Sequence, residues 1–261
     1  VQSPGTQAAD NHFQIPGRCE LSWEKRVKSA FFILIVLVMG SGTVSAEIEE
    51  GFSSLDGWKA LEFPKIERHS EYAVTTSDEA EAGGAVLRAQ AEASASGLIF
   101  EKTFEVADTP IVEWRWKIEG TVPGGDAAIK DGDDYALRIY IIFPYDPDEA
   151  SFGTKLKYNA AKLIYGEYPP LASLNYVWAN QAWDQEILPN AFTERAMMFS
   201  VEAGSQYVGR WRSYRVDIRA DYRAAFGKEP PATASLAIMS DTDNTGESVT
   251  AYIDYIRVRS E

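Results

Sequence analysis

The stretch YALRIYIIF, Tyr135 to Phe143, decides the fold. Read with a period of two, one face is Leu137, Ile139, Ile141 and Phe143, wholly apolar. The other face carries Ala136, Arg138, Tyr140 and Ile142. Alternation of this kind, rich in β-branched and aromatic residues, predicts a strand with a core side and a more polar side.

The same period recurs in both directions along the chain. It runs through AVLRAQAE, SGLIFEKTFEV, IVEWRWKIE, SLNYVWAN, AMMFSVEA, WRSYRVDIRA, ASLAIMS and TAYIDYIRVR, mostly separated by turns rich in Gly, Asp and Pro. In WRWK, Trp114 and Trp116 share one side, and Arg115 and Lys117 the other. In LNYVWAN, Leu174, Tyr176 and Trp178 share a face, and Asn175 lies opposite with Val177 and Ala179. Two helices interrupt the strands. SFGTKLKYNAAKLIYG places Phe152, Leu156, Leu163 and Ile164 at near-helical spacing, with Gly166 as C-cap and Pro169 beyond. DYRAAFG is shorter and stops at Gly227, before Pro230. Nine or more strands in one domain predict an all-β, jelly-roll-like antiparallel β-sandwich with one inserted helix and one short helix.

The N-terminal region reads differently. KRVKSAFFILIVLVMGSGTVSAE has a basic start, an apolar run from Ala30 to Met39, and small residues up to Ala46. That is the pattern of a cleavable signal peptide over residues 25–46. The run is shorter than the ~20 residues of a membrane span, so no stable span is expected after cleavage. Residues 1–24 have no helical or strand period and read as a non-native leader, with the real start near Val27. These readings leave one domain over 47–261 and a periplasmic or secreted location. Removing 1–46 also removes Cys19, the only cysteine, and His12, one of two histidines.

Residues 47–261 hold 21 basic and 36 acidic residues, a formal charge of −15. Such a surface repels phosphate backbones, so nucleic acid is not an expected partner. With His69 the one remaining histidine, a multi-histidine or His/Cys metal centre cannot form. G-x-S-x-G, a Walker loop and a dinucleotide fingerprint are absent.

Oxygen-bearing clusters remain. KDGDDY supplies Lys130, Asp131, Asp133 and Asp134 just before the strand bearing Arg138 and Tyr140. SDTDNTGES supplies Asp241, Asp243 and Asn244, and Asp254 lies in the last long strand. DTDNTG begins like an EF-hand loop but fails at Thr245 and at Tyr252, where Glu is required, so an EF-hand is rejected. Two readings stay open: a structural calcium site at Asp241, Asp243, Asn244 and Asp254, and a turn in which Asp241, Asp243 and Asn244 bond backbone N–H groups.

FPKIERHSEY, ASASGLIFEKTF, VEWRWKIE, KDGDDYALRIYIIF, SLNYVWAN, DYRAAFGKEPP, IMSDTDNTGES and AYIDYIRVR resemble, in order, a bacterial family of exported proteins catalogued as domain of unknown function 3047. The resemblance assigns no activity and carries over no catalytic residue. It implies a shape like the jelly-roll modules of carbohydrate-binding and carbohydrate-cleaving proteins, by fold analogy alone. Asp254 in YIDYIRV is similarly placed to a structural calcium ligand of such modules.

The expectation is therefore an exported binding module for a saccharide or another cell-envelope ligand. Its ligand surface is expected at Arg138, Tyr140, Asn175, Tyr176 and Trp178, with Lys130, Asp133 and Asp134 as rim. A regular strand turns Asn175 and Tyr176 to opposite faces, so at most one of that pair fits. Two alternatives remain. One is an enzyme: a polysaccharide lyase, with Tyr140 as base and Arg138 and Asn175 neutralising a uronate, or a glycoside hydrolase, with Asp133 or Asp134 facing Asp241 or Asp243 across the two loops. The other is a structural envelope protein that binds another protein. No cofactor beyond calcium is expected, and the oligomeric state is left open.

Overall fold

A computed structural model describes residues 47–63, 66–81, 84–148, 152–165 and 169–261. The leader and signal segments, with Cys19 and His12, lie outside the described residues, as does Gly166. The described elements are β1 (Ile48–Glu50), β2 (Trp58–Leu61), β3 (Glu71–Thr76), β4 (Ala85–Glu92), β5 (Ala95–Glu105), β6 (Ile111–Ile118), β7 (Tyr135–Phe143), α1 (Phe152–Tyr165), β8 (Ala172–Ala179), β9 (Ile187–Asn190), β10 (Thr193–Ala203), β11 (Arg212–Asp217), α2 (Ile218–Phe226), β12 (Thr233–Asp241) and β13 (Ser248–Arg259). No described helix is long and apolar enough to cross a membrane.

The strands form two sheets. One runs β11-β6-β13-β4-β3, with β1 also on β13; the other runs β2-β5-β12-β7-β8-β10-β9. The fold is the expected β-sandwich of jelly-roll kind, with one inserted helix and one short helix. One pairing departs from the antiparallel expectation: β8 and β10 run parallel. The chain leaves β8, returns as β9 one position further out, and turns back as β10 into the gap between them.

Between the sheets lies the main core. Leu137, Ile139, Ile141 and Phe143 of β7 and Leu174, Tyr176 and Trp178 of β8 meet Trp114 and Trp116 of β6 and Ile253 and Ile256 of β13. The period-two faces are thus realised. Burying each large apolar side chain contributes roughly 1.5–3 kcal/mol, which makes this layer the main source of cohesion. The ring of Trp114 lies 5.3 Å from that of Tyr176, and Trp116 lies 6.4 Å from Trp178, so the aromatics knit the sheets directly.

α2 caps this core. The Asp217 carboxylate accepts from the N–H groups of Arg219 and Ala220, and Gly227 ends the helix with φ 65°. Tyr222 packs beneath it against Phe143. The sequence reading started this helix too late, because Ile218 and Arg219 continue a strand-like pattern.

The outward face of the seven-stranded sheet is also largely covered. Leu61, Phe63, Ile99, Tyr140, Ile142, Ala237 and Met239 form one small cluster; Ala127, Tyr135, Val177, Ala179 and Met198 form another. A β-bulge shapes the junction between them. Met239 pairs with Arg138 but Asp241 pairs with Tyr135, so β7 spends one residue more than β12. Ala136 and Leu137 consequently both turn into the main core. This corrects the strict alternation that put Ala136 beside Arg138. Tyr135 takes that place instead, and bulges are found near functional sites for this capacity to re-aim side chains.

Candidate functional site

The KDGDD and SDTDNTGES loops meet at the end of β7 and β12. Lys130–Gly132 form one 3-10 turn, after which Asp133 and Asp134 enter β7. Gly132 is required there: a Cβ would lie 2.7 Å from the Asp126 nitrogen. The Asp126 N–H donates to the Gly132 carbonyl at 2.7 Å, folding the preceding GGD segment against the turn. Gly125 is equally constrained, since a Cβ would sit 1.9 Å from Asn180 Nδ2. That amide donates to the Asp134 carbonyl at 2.7 Å.

Asp134 is wholly buried and binds the other loop. One carboxylate oxygen accepts from Asn244 Nδ2 at 2.9 Å and the other from the Thr245 N–H at 2.7 Å. Strand pairing sets Asp241 beside Tyr135, whose N–H donates to its Oδ1 at 3.3 Å. Arg138 is the cationic hub. Its guanidinium donates to Asp241, and to Asp133 Oδ2 and the Asp133 carbonyl at 3.3 Å each. Asn190 Nδ2 donates to the same Asp133 Oδ2 at 2.8 Å. The Arg138 carbon Cζ lies 4.8 Å from the Tyr135 ring centre and 5.8 Å from that of Tyr140.

Charge does not balance here. Asp133, Asp134, Asp241 and Asp243 surround a single guanidinium. Burial pushes the Asp133 and Asp243 carboxyls above the usual carboxylate range, with their acidic neighbours adding to the shift. Arg138 is held protonated by Asp241 and Asp133 against the burial that opposes its charge. The buried polar atoms without a hydrogen-bond partner among the described residues include the acceptor Asp133 Oδ1, the donor Arg138 Nε and the Tyr135 hydroxyl.

These groups open onto a recess lined by Phe63, Ala95, Asp133, Arg138, Phe192, Met239, Asp241, Asp243 and Asn244. It is small, with a cavity volume of about 30 Å³, and opens to solvent at its mouth. Asp243, Asn244 and Phe192 are half-buried and form its accessible edge, while Lys130 Nζ stands 5.2 Å from the centre of the Phe192 ring.

Several expected residues fall elsewhere. Tyr176 and Trp178 are fully buried in the main core, so they offer no platform to a ligand. Tyr176 donates to Asp221 at 2.6 Å and Trp178 Nε1 to the Gly204 carbonyl at 2.9 Å. Asn175 is buried on the opposite face against the Met198 sulfur, at 3.2 Å. Tyr140 is buried with its hydroxyl 3.6 Å from the Met239 sulfur, and burial raises its pKa. A general base needs the reverse shift, and Arg138 is already engaged by two carboxylates, so the lyase arrangement has no support. Asp254 belongs to neither loop. It lies on β13 of the other sheet, at a register shift between Ile253 and Tyr255, where it accepts from Arg115 and the Glu81 N–H. Calcium shared between Asp254 and Asp241 is therefore excluded. His69 is exposed beside Glu62, 3.3 Å away.

Sequence reasoning missed Phe63, Phe192 and Asn190. Phe63 opens FPKIERHSEY, but nothing local marks it as a wall of a recess. Phe192 and Asn190 sit in LPNAF, where no motif stands out.

Comparisons with other proteins add the following. No curated protein matches the sequence. Among solved structures, the chain is similar to the enzymatically active domain of bacteriophage CBA120 tailspike protein 4, at 8% identity and TM-score 0.38 over 79% of this chain. It spans only 20% of that tailspike chain. Endoglucanase 3 of family GH12 from Trichoderma harzianum aligns at 11% identity and TM-score 0.41, over 84% of this chain and 96% of the other. CBM27-1 of Caldicellulosiruptor saccharolyticus, solved with mannohexaose, aligns at 12% identity and TM-score 0.37, over 84% and 99%. The family described as "Protein of unknown function (DUF3047)" matches residues 56–257, and the chain belongs to that family.

Proposed function

We propose that residues 47–261 form an exported binding module, periplasmic or secreted, that takes a saccharide in the recess between the two acidic loops. One observation carries the reading. The recess is lined by a carboxylate acceptor, Asp133, and a guanidinium donor, Arg138, among the side chains of Phe63 and Phe192. A hydroxyl both donates and accepts, so a polyol can satisfy both kinds of atom. Phenyl rings offer apolar surface to the C–H face of a sugar ring, and a few polar groups in an otherwise apolar cleft fix its orientation. Asp243 and Asn244 at the mouth add further polar partners.

Hydrolysis is less well supported than binding. A glycosidase needs two available carboxyls with separate tasks. Here Asp241 is tied to Arg138, and Asp134 is occupied by N–H donors from the facing loop.

A glycan array probed with residues 47–261 and with Phe192→Ala tests the proposal. The expected result is a restricted set of bound glycans that dims in the variant. No bound glycan, or the same set at the same strength in both proteins, would contradict it.

A further inference from the structure

We propose that the recess recognises the acetamido group of an N-acetylated amino sugar, so that the C2 substituent decides which saccharide is taken. The inference rests on the saccharide reading above and adds to it the class of sugar.

Size comes first. The cavity, about 30 Å³, is too small for a sugar ring. One water-sized centre needs roughly 10–15 Å³ on this measure, so the space admits about two or three non-hydrogen atoms. The ring must stay at the mouth and send a single substituent inward. Beyond its nitrogen, an acetamido group has a carbonyl carbon, an oxygen and a methyl, which match that space. A hydroxyl leaves much of it unfilled.

The lining fits the same group. Part of it is apolar: Phe63 comes from the β2–β3 connection, Ala95 from β5 and Met239 from β12, and all three are buried. A methyl placed among them gains by leaving water. A hydroxyl in the same place gives up water without finding a partner there. Phe192 adds a half-buried ring at the edge.

The rest of the lining is polar and suits an amide in both senses. Asn244 spends one amide hydrogen on Asp134, at 2.9 Å, and has a second to give a carbonyl oxygen. Asp243, next to it at the mouth, supplies a carboxyl oxygen for an amide N–H. A carboxyl keeps acceptor capacity whether or not it is protonated, so this bond does not depend on the charge of Asp243. A free ammonium at C2 is worse served. It would bring a charge against the apolar wall and toward the Arg138 guanidinium, which also lines the recess.

Calorimetric titration with three trisaccharides of the same linkage tests the inference: those of N-acetylglucosamine, glucosamine and glucose, which differ only at C2. The acetylated compound should bind about tenfold or more tightly than either of the others, the range in which an apolar pocket discriminates by one small group. Phe192→Ala, at a half-buried position, should weaken its binding about tenfold. Equal affinity for the three, or tighter binding of the glucosamine or glucose compound, would overturn the inference and leave a saccharide site in place. So would undiminished binding of the acetylated compound by Phe192→Ala, which would put the group elsewhere. No heat with any of the three would overturn it too. The glycan array then judges the saccharide reading separately: a bound glycan without acetamido groups sustains that reading, and an empty array contradicts both.

Discussion

Arg138 is the buried cation to which Asp133 and Asp241 are bonded. It is 2% exposed and bonded to two carboxylates and a carbonyl. Breaking a buried ion pair from one side strands the remaining charge, at about 3–5 kcal/mol. Arg138→Met keeps the bulk and removes the charge, so urea unfolding at pH 7 should show a loss of that size. Asp221 offers a cleaner pH test, away from the recess. Burial raises its carboxyl above the usual range, with Asp217 adding repulsion, while the Tyr176 hydroxyl donates to it and favours the charged form. A raised folded-state value means the native state binds the proton more tightly. That stabilising contribution is full below the unfolded carboxylate value and is lost as pH rises through the raised one. Asp221→Asn keeps an acceptor for Tyr176 and removes the titration. Its stability relative to wild type should therefore improve from pH 4 to pH 7, as measured by denaturant midpoints. At this scale the sequence announced Asp133, Asp134, Asp241 and Asp243 as oxygen clusters. It could not announce their common neighbour, because Arg138 reaches Asp241 only through a strand pairing with no local signature.

The elements were legible wherever hydrophobic period governs and illegible where a strand breaks its own period. YALRIYIIF gave its core face correctly at Leu137, Ile139, Ile141 and Phe143. The bulge at Ala136–Leu137 was not readable, since alanine is small enough to sit on either face. A related local irregularity joins β4 to β5, where Ala93 adopts φ 45°. The turn is pinned: Ala93 N–H donates to the Glu247 carbonyl at 2.9 Å, and Glu92 N–H to Ser94 Oγ at 2.9 Å. A left-handed residue with a Cβ costs roughly 1–2 kcal/mol, against about 0.5–1 kcal/mol for glycine's extra chain entropy. Ala93→Gly should accordingly raise stability by up to about 1 kcal/mol, read as a higher denaturant midpoint at unchanged m-value. The Ser70, Ser94, Ser96 and Tyr72 network beside this turn was equally hidden. Tyr72 donates to the Ser96 carbonyl at 2.6 Å and accepts from the Ser240 N–H at 2.9 Å, linking the two sheets through polar groups.

At the scale of the molecule, two layers of strands enclose an aromatic core, and the outward face of the larger sheet holds the recess. The expected aromatic platform of Tyr176 and Trp178 was misplaced for a simple reason. Period two says which residues share a face, but both faces of β8 are buried, and sequence does not say what covers the second. The proposed site therefore lies at the junction of two loops rather than on an open sheet face, with Phe63 and Phe192 in place of the tryptophan. A second aromatic and cationic surface exists on the other sheet, where Arg115 and Lys117 stand 4.9 and 5.4 Å from the Trp211 ring centre, so the two faces can be set against each other. Calorimetric titration of the strongest glycan from the array into wild type, Phe192→Ala, Asp243→Asn and Trp211→Ala makes that comparison directly. The recess predicts affinity about tenfold weaker or worse in the first two variants and close to wild type in Trp211→Ala. Loss of binding in Trp211→Ala alone, with the recess variants unchanged, would contradict it.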